Sequence, residues 1–314
     1  MLQSLFYIFI FPGLLFLGTY GFLVEYVDRK LYARFQNRVG PPWFQPFADF
    51  VKLLGKEGII PSQAEKGMFK ILPAFTVASV SCVILYLPLW NLTALYSFKT
   101  DLVVVLYLLT IPTVTFFMAG WASTSLYATL GAVRTITQLF AYEVPLYMSL
   151  LGPALLADNW SISGIAAFYY EHPLLSLVNI PGFFVAIIAM QGKLERVPFD
   201  IPDAETEIVA GSFTEYSGRF LATFRMGLDI EMVILVSLIA AVFIPFYLPS
   251  GFIPGMLIYL VKTLLIVCIL SLIRSLMARI RIEQMVNFCW KFLAPLAILQ
   301  ILTDIILKGI LQNE

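Results

Sequence analysis

The sequence predicts an all-α, multi-pass membrane protein. Three observations carry that expectation. Of 314 residues, 60% are hydrophobic and only 13% are charged, whereas soluble domains carry about 25% charge. Uncharged stretches long enough to cross a bilayer recur along the chain, and the charges that remain are gathered into alternate connecting segments. Lys plus Arg and Asp plus Glu each total 20, so net charge points to no nucleic-acid partner.

A spanning helix needs about 20 mostly apolar residues, because its backbone polar groups must be satisfied internally. The runs Leu2 to Val24, Ile71 to Phe98, Leu102 to Val133 and Pro173 to Gly192 meet that condition. Thr135 to Ala157 does so with one charge, Glu143. Met232 to Ile273 divides at the turn signals Pro249, Ser250, Gly251 and Pro254. A last span runs from about Met285 to Leu307, with Lys291 and Asp304 placed to reach the two interfaces. The expectation is eight transmembrane helices in one membrane domain, residues 1–314.

Lys and Arg mark the cytoplasmic loops. They concentrate in about 25–70, 121–134, 193–229 and 274–291, while the alternate loops hold Lys99 alone, with Lys308 near the C-terminus. Both termini are therefore expected outside a prokaryotic plasma membrane. In the first of these loops, Phe47, Phe50, Val51 and Leu54 recur at helical spacing opposite Asp49, Lys52 and Lys56. This pattern predicts an amphipathic helix on the membrane surface. A basic anchor on lipid headgroups would suffice, yet Glu25, Asp28, Asp49 and Glu57 exceed what an anchor needs.

Redox or nucleotide chemistry within the chain is disfavoured. Cys82, Cys268 and Cys289 form no CxxC pair, His172 is the single histidine, and neither GxGxxG nor GxxxxGK occurs. Polar chemistry is concentrated elsewhere. The stretch from Lys193 to Glu231 holds Glu195, Asp200, Asp203, Glu205, Glu207, Glu215, Asp229 and Glu231. If helical after Pro202, it sets Asp203, Glu207 and Glu215 on one face, where crowding raises carboxyl pKa values. A solvated loop paired with Arg196, Arg219 and Arg225 is the alternative. Glu143 and Lys262 lie roughly 13 and 18 Å deep by helical rise, and buried ionisable groups face a partner charge, a cavity or an ion path. Lys262 is a possible structural partner for Glu143, and Pro145 a source of freed carbonyls. Arg274, Arg279 and Arg281 form a last basic loop able to clamp the acids or a docked protein.

Taken together, these motifs resemble the membrane component of respiratory complex I designated H, and its relatives in membrane-bound hydrogenase-type complexes. The matching stretches are DRK at 28–30, QNRVGP at 36–41, QPFADFVKLLGKE at 45–57, AYEV at 141–144, ERVPFD at 195–200, AETE at 204–207, EYSG at 215–218 and RIRIEQM at 279–285. The resemblance covers nearly the whole chain. It implies a non-redox subunit that docks a hydrophilic redox arm and starts an acid path for protons. It assigns Glu143, Asp203, Glu205, Glu207 and Glu215 to the channel, to which the depth argument adds Lys262. It assigns Asp28, Arg29, Lys30, Arg38, Asp49, Lys52, Glu57, Arg274, Arg279 and Arg281 to the arm interface or chamber, beside Glu25, Glu195, Arg196 and Asp200. It further implies iron–sulfur and hydrogenase-like subunits and antiporter-like membrane subunits as partners, with no cofactor in this chain. Lys193 and Glu195 replace the glutamate and asparagine of the family's ETNRxPFD stretch, and Pro202, Asp203 and Ala278 also depart. These changes look more like ferredoxin-linked hydrogenase or sulfur-reducing complexes than a quinone reductase. A quinone at the interface and a stand-alone proton-coupled transporter stay open as alternatives.

Overall fold

The computed structural model describes residues 2–247 and 251–311. The described residues are helical wherever they are regular, and eight helical segments are long and apolar enough to cross a membrane. The first segment breaks at Pro12 and Gly13 into α1 (Leu2–Phe9) and α2 (Leu14–Phe35). α2 continues eleven residues beyond the expected edge at Val24, which brings Glu25, Asp28 and Arg29 into a helix. α3 (Gln45–Leu54) is the expected amphipathic element. Its Phe47, Val51 and Leu54 are exposed, and the Phe22 ring packs on Phe50 from α2.

α4 (Lys66–Val83) and α5 (Asp101–Ala122) follow. α6 (Leu126–Leu156) runs without interruption through Pro145 and Pro153, so Pro145 opens no break beside Glu143. The short α7 (Ile162–Glu171) lies at the end of the bundle away from the charged loops, and α8 (Ile180–Lys193) begins from a 3-10 segment, Pro173–Asn179. Past the four-residue α9 (Glu205–Ile208) come α10 (Gly218–Phe243) and α11 (Phe252–Leu276). Pro249 and Ser250 lie outside the described residues; Gly251 caps α11 and Pro254 sits in its first turn, where a missing N–H costs nothing. α12 (Ile282–Phe288) joins α13 (Ala294–Leu311) through a π-turn at Cys289–Leu293.

α10 is the innermost helix, packed by α2, α4 and α11, and α6 is wedged between α5, α8 and α13. Leu17, Val80, Leu102, Leu146, Ile234 and Ile266 belong to one continuous core. A second, aromatic cluster sits at the charged end, where Phe69 stacks on Tyr216 with ring centroids 3.9 Å apart and Phe213 and Phe224 close around them. Each such pair adds about 0.5–1.5 kcal/mol beyond area burial. Together they pin the loop between α8 and α10 onto the bundle, and that loop carries the candidate site.

Candidate functional site: a charged hub and a buried polar track

Glu25, Asp28 and Arg29 share one face of α2 through their three- and four-residue spacing. Arg196, just past α8, reaches Glu25 at 2.9 Å and Asp28 at 2.8 Å. Arg274 from α11 meets the same Asp28 oxygen at 2.8 Å, and the Ser271 hydroxyl donates to the other at 2.7 Å. Arg29 bridges Glu25 at 2.6 Å and Asp49 of α3 at 3.0 Å. Three helices and a loop thus meet on alternating charges around a buried Asp28. Burial opposes the Arg196 cation, but Asp28, Glu25 and Asp229 more than offset it and hold its pKa above the usual arginine value.

α8 ends with Glu195 in the left-handed region at φ 51, and the Glu195 and Arg196 amides return to the carbonyls of Gly192 and Gln191. That turn aims Glu195 and Arg196 into a cavity of about 480 Å³ between α2, α3, α10 and the loop. Phe22, Phe50, Leu53 and Phe224 form its apolar wall; Glu25, Arg29, Asp203, Arg225 and Asp229 face them. A second cavity of about 370 Å³ adjoins it, sharing Glu195, Arg196, Asp203 and Arg274 and adding Asp200 and Arg279. Burial, then the charges of Asp203 and Glu231, push the Glu195 carboxyl well above the ordinary carboxylate range.

Deeper in the bundle, Lys193 is buried and pairs with the buried Glu231 of α10 at 2.9 Å. This overturns two expectations: Lys193 is no loop cation, and Asp229 and Glu231 belong to a span that begins at Gly218, not to a loop reaching 229. The Lys193 ammonium also donates to the Leu109 carbonyl at 2.5 Å and lies 3.4 Å from the Thr113 hydroxyl, which is 3.0 Å from the Tyr142 hydroxyl. Glu143 follows Tyr142 on α6 and accepts from the Tyr147 hydroxyl at 2.7 Å. A polar track therefore runs from Glu231 through Lys193 and Thr113 to Tyr142, with cavity-lining Glu195 two residues from Lys193 at one end and Glu143 next to Tyr142 at the other.

The third-loop acids do not share a helical face. Positive φ at Val209 (63) and Gly211 (51) breaks the segment after α9, because helical backbone cannot pass through left-handed residues. Asp203 lines both cavities, whereas Glu207 is exposed and pairs with Arg134 at 2.6 Å and Arg279 at 3.6 Å. The Arg134 hydrogen bond holds the Glu207 carboxyl below its ordinary range. Asp200 pairs with Arg279 at 3.1 Å. Glu215 is half-buried beside Tyr216, and the side chain of Glu205 lies outside the described residues. Arg38, Lys52, Glu57 and Arg281 are exposed on the charged end, and Lys30 donates to the Pro41 carbonyl at 3.4 Å.

Lys262 does not meet Glu143. It donates to the Ile244 carbonyl at 3.2 Å and lies 3.9 Å from the centroid of the Tyr247 ring, a pairing at the end of α10. Asp304 likewise does not reach an interface; it is fully buried against α6. Sequence reasoning thus missed Lys193, Asp229 and Glu231 as site residues. The available signal was the position of the two acids 11 and 13 residues after Gly218, inside an otherwise spanning helix.

The family model described as NADH dehydrogenase matches residues 7–305. The H subunit of NADH-quinone oxidoreductase from Dehalococcoides mccartyi (strain CBDB1) is 35% identical over 279 residues, covering 87% of this chain and 78% of the relative. Its counterpart from Bacillus thuringiensis subsp. konkukian (strain 97-27) is 34% identical over 300 residues, covering 92% and 89%. A chain in the structure of a membrane-bound sulfane sulfur reductase, an archaeal respiratory membrane complex, superposes with a TM-score of 0.83 at 22% identity, covering 92% of this chain and 96% of that one. That last likeness is one of fold. An eight-span bundle with its charged loops gathered at one end, matched over almost its full length, belongs to the NADH dehydrogenase family that contains the H subunits of NADH-quinone oxidoreductases.

Proposed function

We propose that this chain is the non-redox coupling subunit of a complex I-like, ion-translocating respiratory oxidoreductase. Its charged end faces the cytoplasm and docks a hydrophilic arm carrying the iron–sulfur clusters; both termini lie outside the plasma membrane. The carrying observation is the succession of ionisable and hydroxyl groups from the Glu25–Arg196–Asp28 hub, past Glu195, to the Lys193–Glu231 pair, Thr113 and Tyr142, with Glu143 the next residue on α6. A change of charge or position at the docked face alters which carboxylates hold protons at its upper end. Proton transfer along the track passes the result to antiporter-like neighbours beyond Glu143.

Within the family, we assign the chain to a ferredoxin-linked hydrogenase or sulfur-reducing type of complex. Lys193 supports this: where the family's stretch carries a glutamate, this chain carries a cation, neutralised by Glu231. The second reading is a quinone-chamber subunit. It is favoured by the apolar wall of Phe22, Phe50, Leu53 and Phe224 in the 480 Å³ cavity and by the quinone in the relatives' names. A stand-alone transporter built on Glu143 and Lys262 loses its premise, since the two side chains have separate partners.

The test is purification of the tagged chain in gentle detergent, with mass spectrometry of its partners, metal analysis and a Glu143→Gln variant. Antiporter-like and iron–sulfur subunits co-purify, nickel marks a hydrogenase, and in Glu143→Gln electron transfer persists while proton pumping falls by about 100-fold or more. A lone chain that moves protons in liposomes refutes the proposal.

A further inference from the structure

Asp304 stands apart from the track. It lies on α13, seven residues before Leu311, about 10 Å from that helix end by helical rise. Its carboxyl group is fully buried against α6. The space it occupies exists because position 152 is glycine: a Cβ there would stand 2.6 Å from Asp304 Oδ2. Gly182 of α8 makes the matching room for Gln300, whose Oε1 a Cβ would meet far inside contact distance. The Gln300 amide bridges the group, donating to Asn179 Oδ1 at 2.9 Å and lying 3.4 Å from Asp304 Oδ2. Asp304 Oδ1 and Gln300 Oε1 are both buried with no hydrogen-bond partner among the described residues.

The charges around this cluster are accounted for. Lys308, one turn further along α13, is engaged by Asp158 beyond the end of α6. Tyr169 of α7 donates to the Pro153 carbonyl at 3.1 Å, and the 3-10 segment contributes only the neutral Asn179. Among the described residues no cation pairs with Asp304. An ionised carboxylate in that position would be desolvated with only the 3.4 Å Gln300 amide hydrogen bond to offset it, whereas the neutral acid carries no buried charge.

We propose that Asp304 is a second proton-binding site, a carboxylic acid protonated at rest that exchanges its proton with the aqueous phase at the Asp158–Lys308 end of the bundle. The ligand is a proton taken up at Oδ1. The inference is independent of the coupling reading, because it concerns a carboxyl group on the other side of the membrane from the charged hub.

A lipophilic carbodiimide reads this state directly. The carboxyl proton moves to one carbodiimide nitrogen, the carboxylate oxygen adds to the central carbon, and an O-to-N acyl shift leaves a stable N-acylurea with nothing expelled. The whole complex in sealed vesicles is treated with dicyclohexylcarbodiimide while pH is varied separately on the two sides, and the Asp304 peptide is quantified by mass spectrometry. Asp304 is expected to be labelled at mildly acidic pH. The rate should fall about tenfold per unit above its midpoint as pH rises on the Asp158–Lys308 side. Sodium chloride in place of choline chloride should change nothing, and Asp304→Asn should lose the adduct. Three results overturn the proposal: no adduct while other membrane carboxylates of the complex react, labelling indifferent to pH on that side, or protection by sodium, which would make the cluster a cation site. The wild-type profile alone decides between them if the variant fails to assemble.

Discussion

The ion pair between Lys193 and Glu231 permits a quantitative prediction. Both side chains are buried, and they meet at 2.9 Å inside the bundle. Removing one partner leaves the other charged and uncompensated, which costs about 3–5 kcal/mol; removing both is close to neutral. Lys193→Met should show the full loss. Glu231→Gln should fall at the lower end, because the ammonium keeps its bond to the Leu109 carbonyl and its neighbour Thr113. For 314 residues, an unfolding entropy of about 2.1 cal/mol/K per residue gives a slope near 0.66 kcal/mol per degree, so 3–5 kcal/mol lowers Tm by about 5–8 °C. Lys193→Met/Glu231→Gln should recover most of that fall, so that its loss is far smaller than the sum of the two single losses. The assay is thermal unfolding of the purified complex, with partner retention scored in parallel. Additive losses in the double variant, or an unchanged Tm in Lys193→Met, would refute the claim that the two charges hold each other in place.

Three further outcomes follow from the same geometry. Glu195 has a raised pKa in the folded state, so the folded form binds its proton more tightly than the unfolded chain. Its favourable contribution is fully present below the unfolded value and is lost as pH rises toward the folded one. Glu195→Gln should therefore gain stability relative to the natural chain as pH rises above the ordinary carboxylate range, and parallel melting curves over that rise would contradict it. Gly131 of α6 faces backbone: a Cβ there would stand 2.5 Å from the Gly211 carbonyl carbon and the Ser212 nitrogen. Gly131→Ala should cost about 1–3 kcal/mol by overpacking and free the acidic loop to proteolysis, read by limited digestion. Arg274→Gln strips Asp28 of one of two arginines while Arg196 and Ser271 remain. It should cost less than Arg196→Gln, which also abandons Glu25, and reversal of that order in Tm would show that Arg274 anchors the hub.

The parts of this architecture that the sequence discloses are those fixed by local necessity. Spans are legible because a bilayer demands a long apolar run whatever its neighbours, and the amphipathic α3 because its stripe repeats every turn. The hub is half legible, since Glu25 and Arg29 are four apart on one helix, while Arg196 and Arg274 arrive from 171 and 246 residues away. What misleads is a rule applied without its partner. A lysine at the end of an apolar run reads as a retained loop cation, and only the acid 38 positions on makes Lys193 an interior charge. An aspartate near a helix end reads as reaching for water, and only two glycines on α6 and α8 explain how Asp304 can turn inward. In the acidic loop the spacing of Asp203, Glu207 and Glu215 would make one face only if the stretch after Pro202 were helical. Val209 and Gly211 deny it, because left-handed backbone there parts Glu207 from Glu215, while Asp203, ahead of α9, lines the cavity and Glu207, within α9, goes out to Arg134. Division of labour among these acids therefore comes from where the backbone sets each one, and two glutamates twelve residues apart acquire opposite pKa shifts, Glu195 upward by burial and Glu207 downward by an arginine.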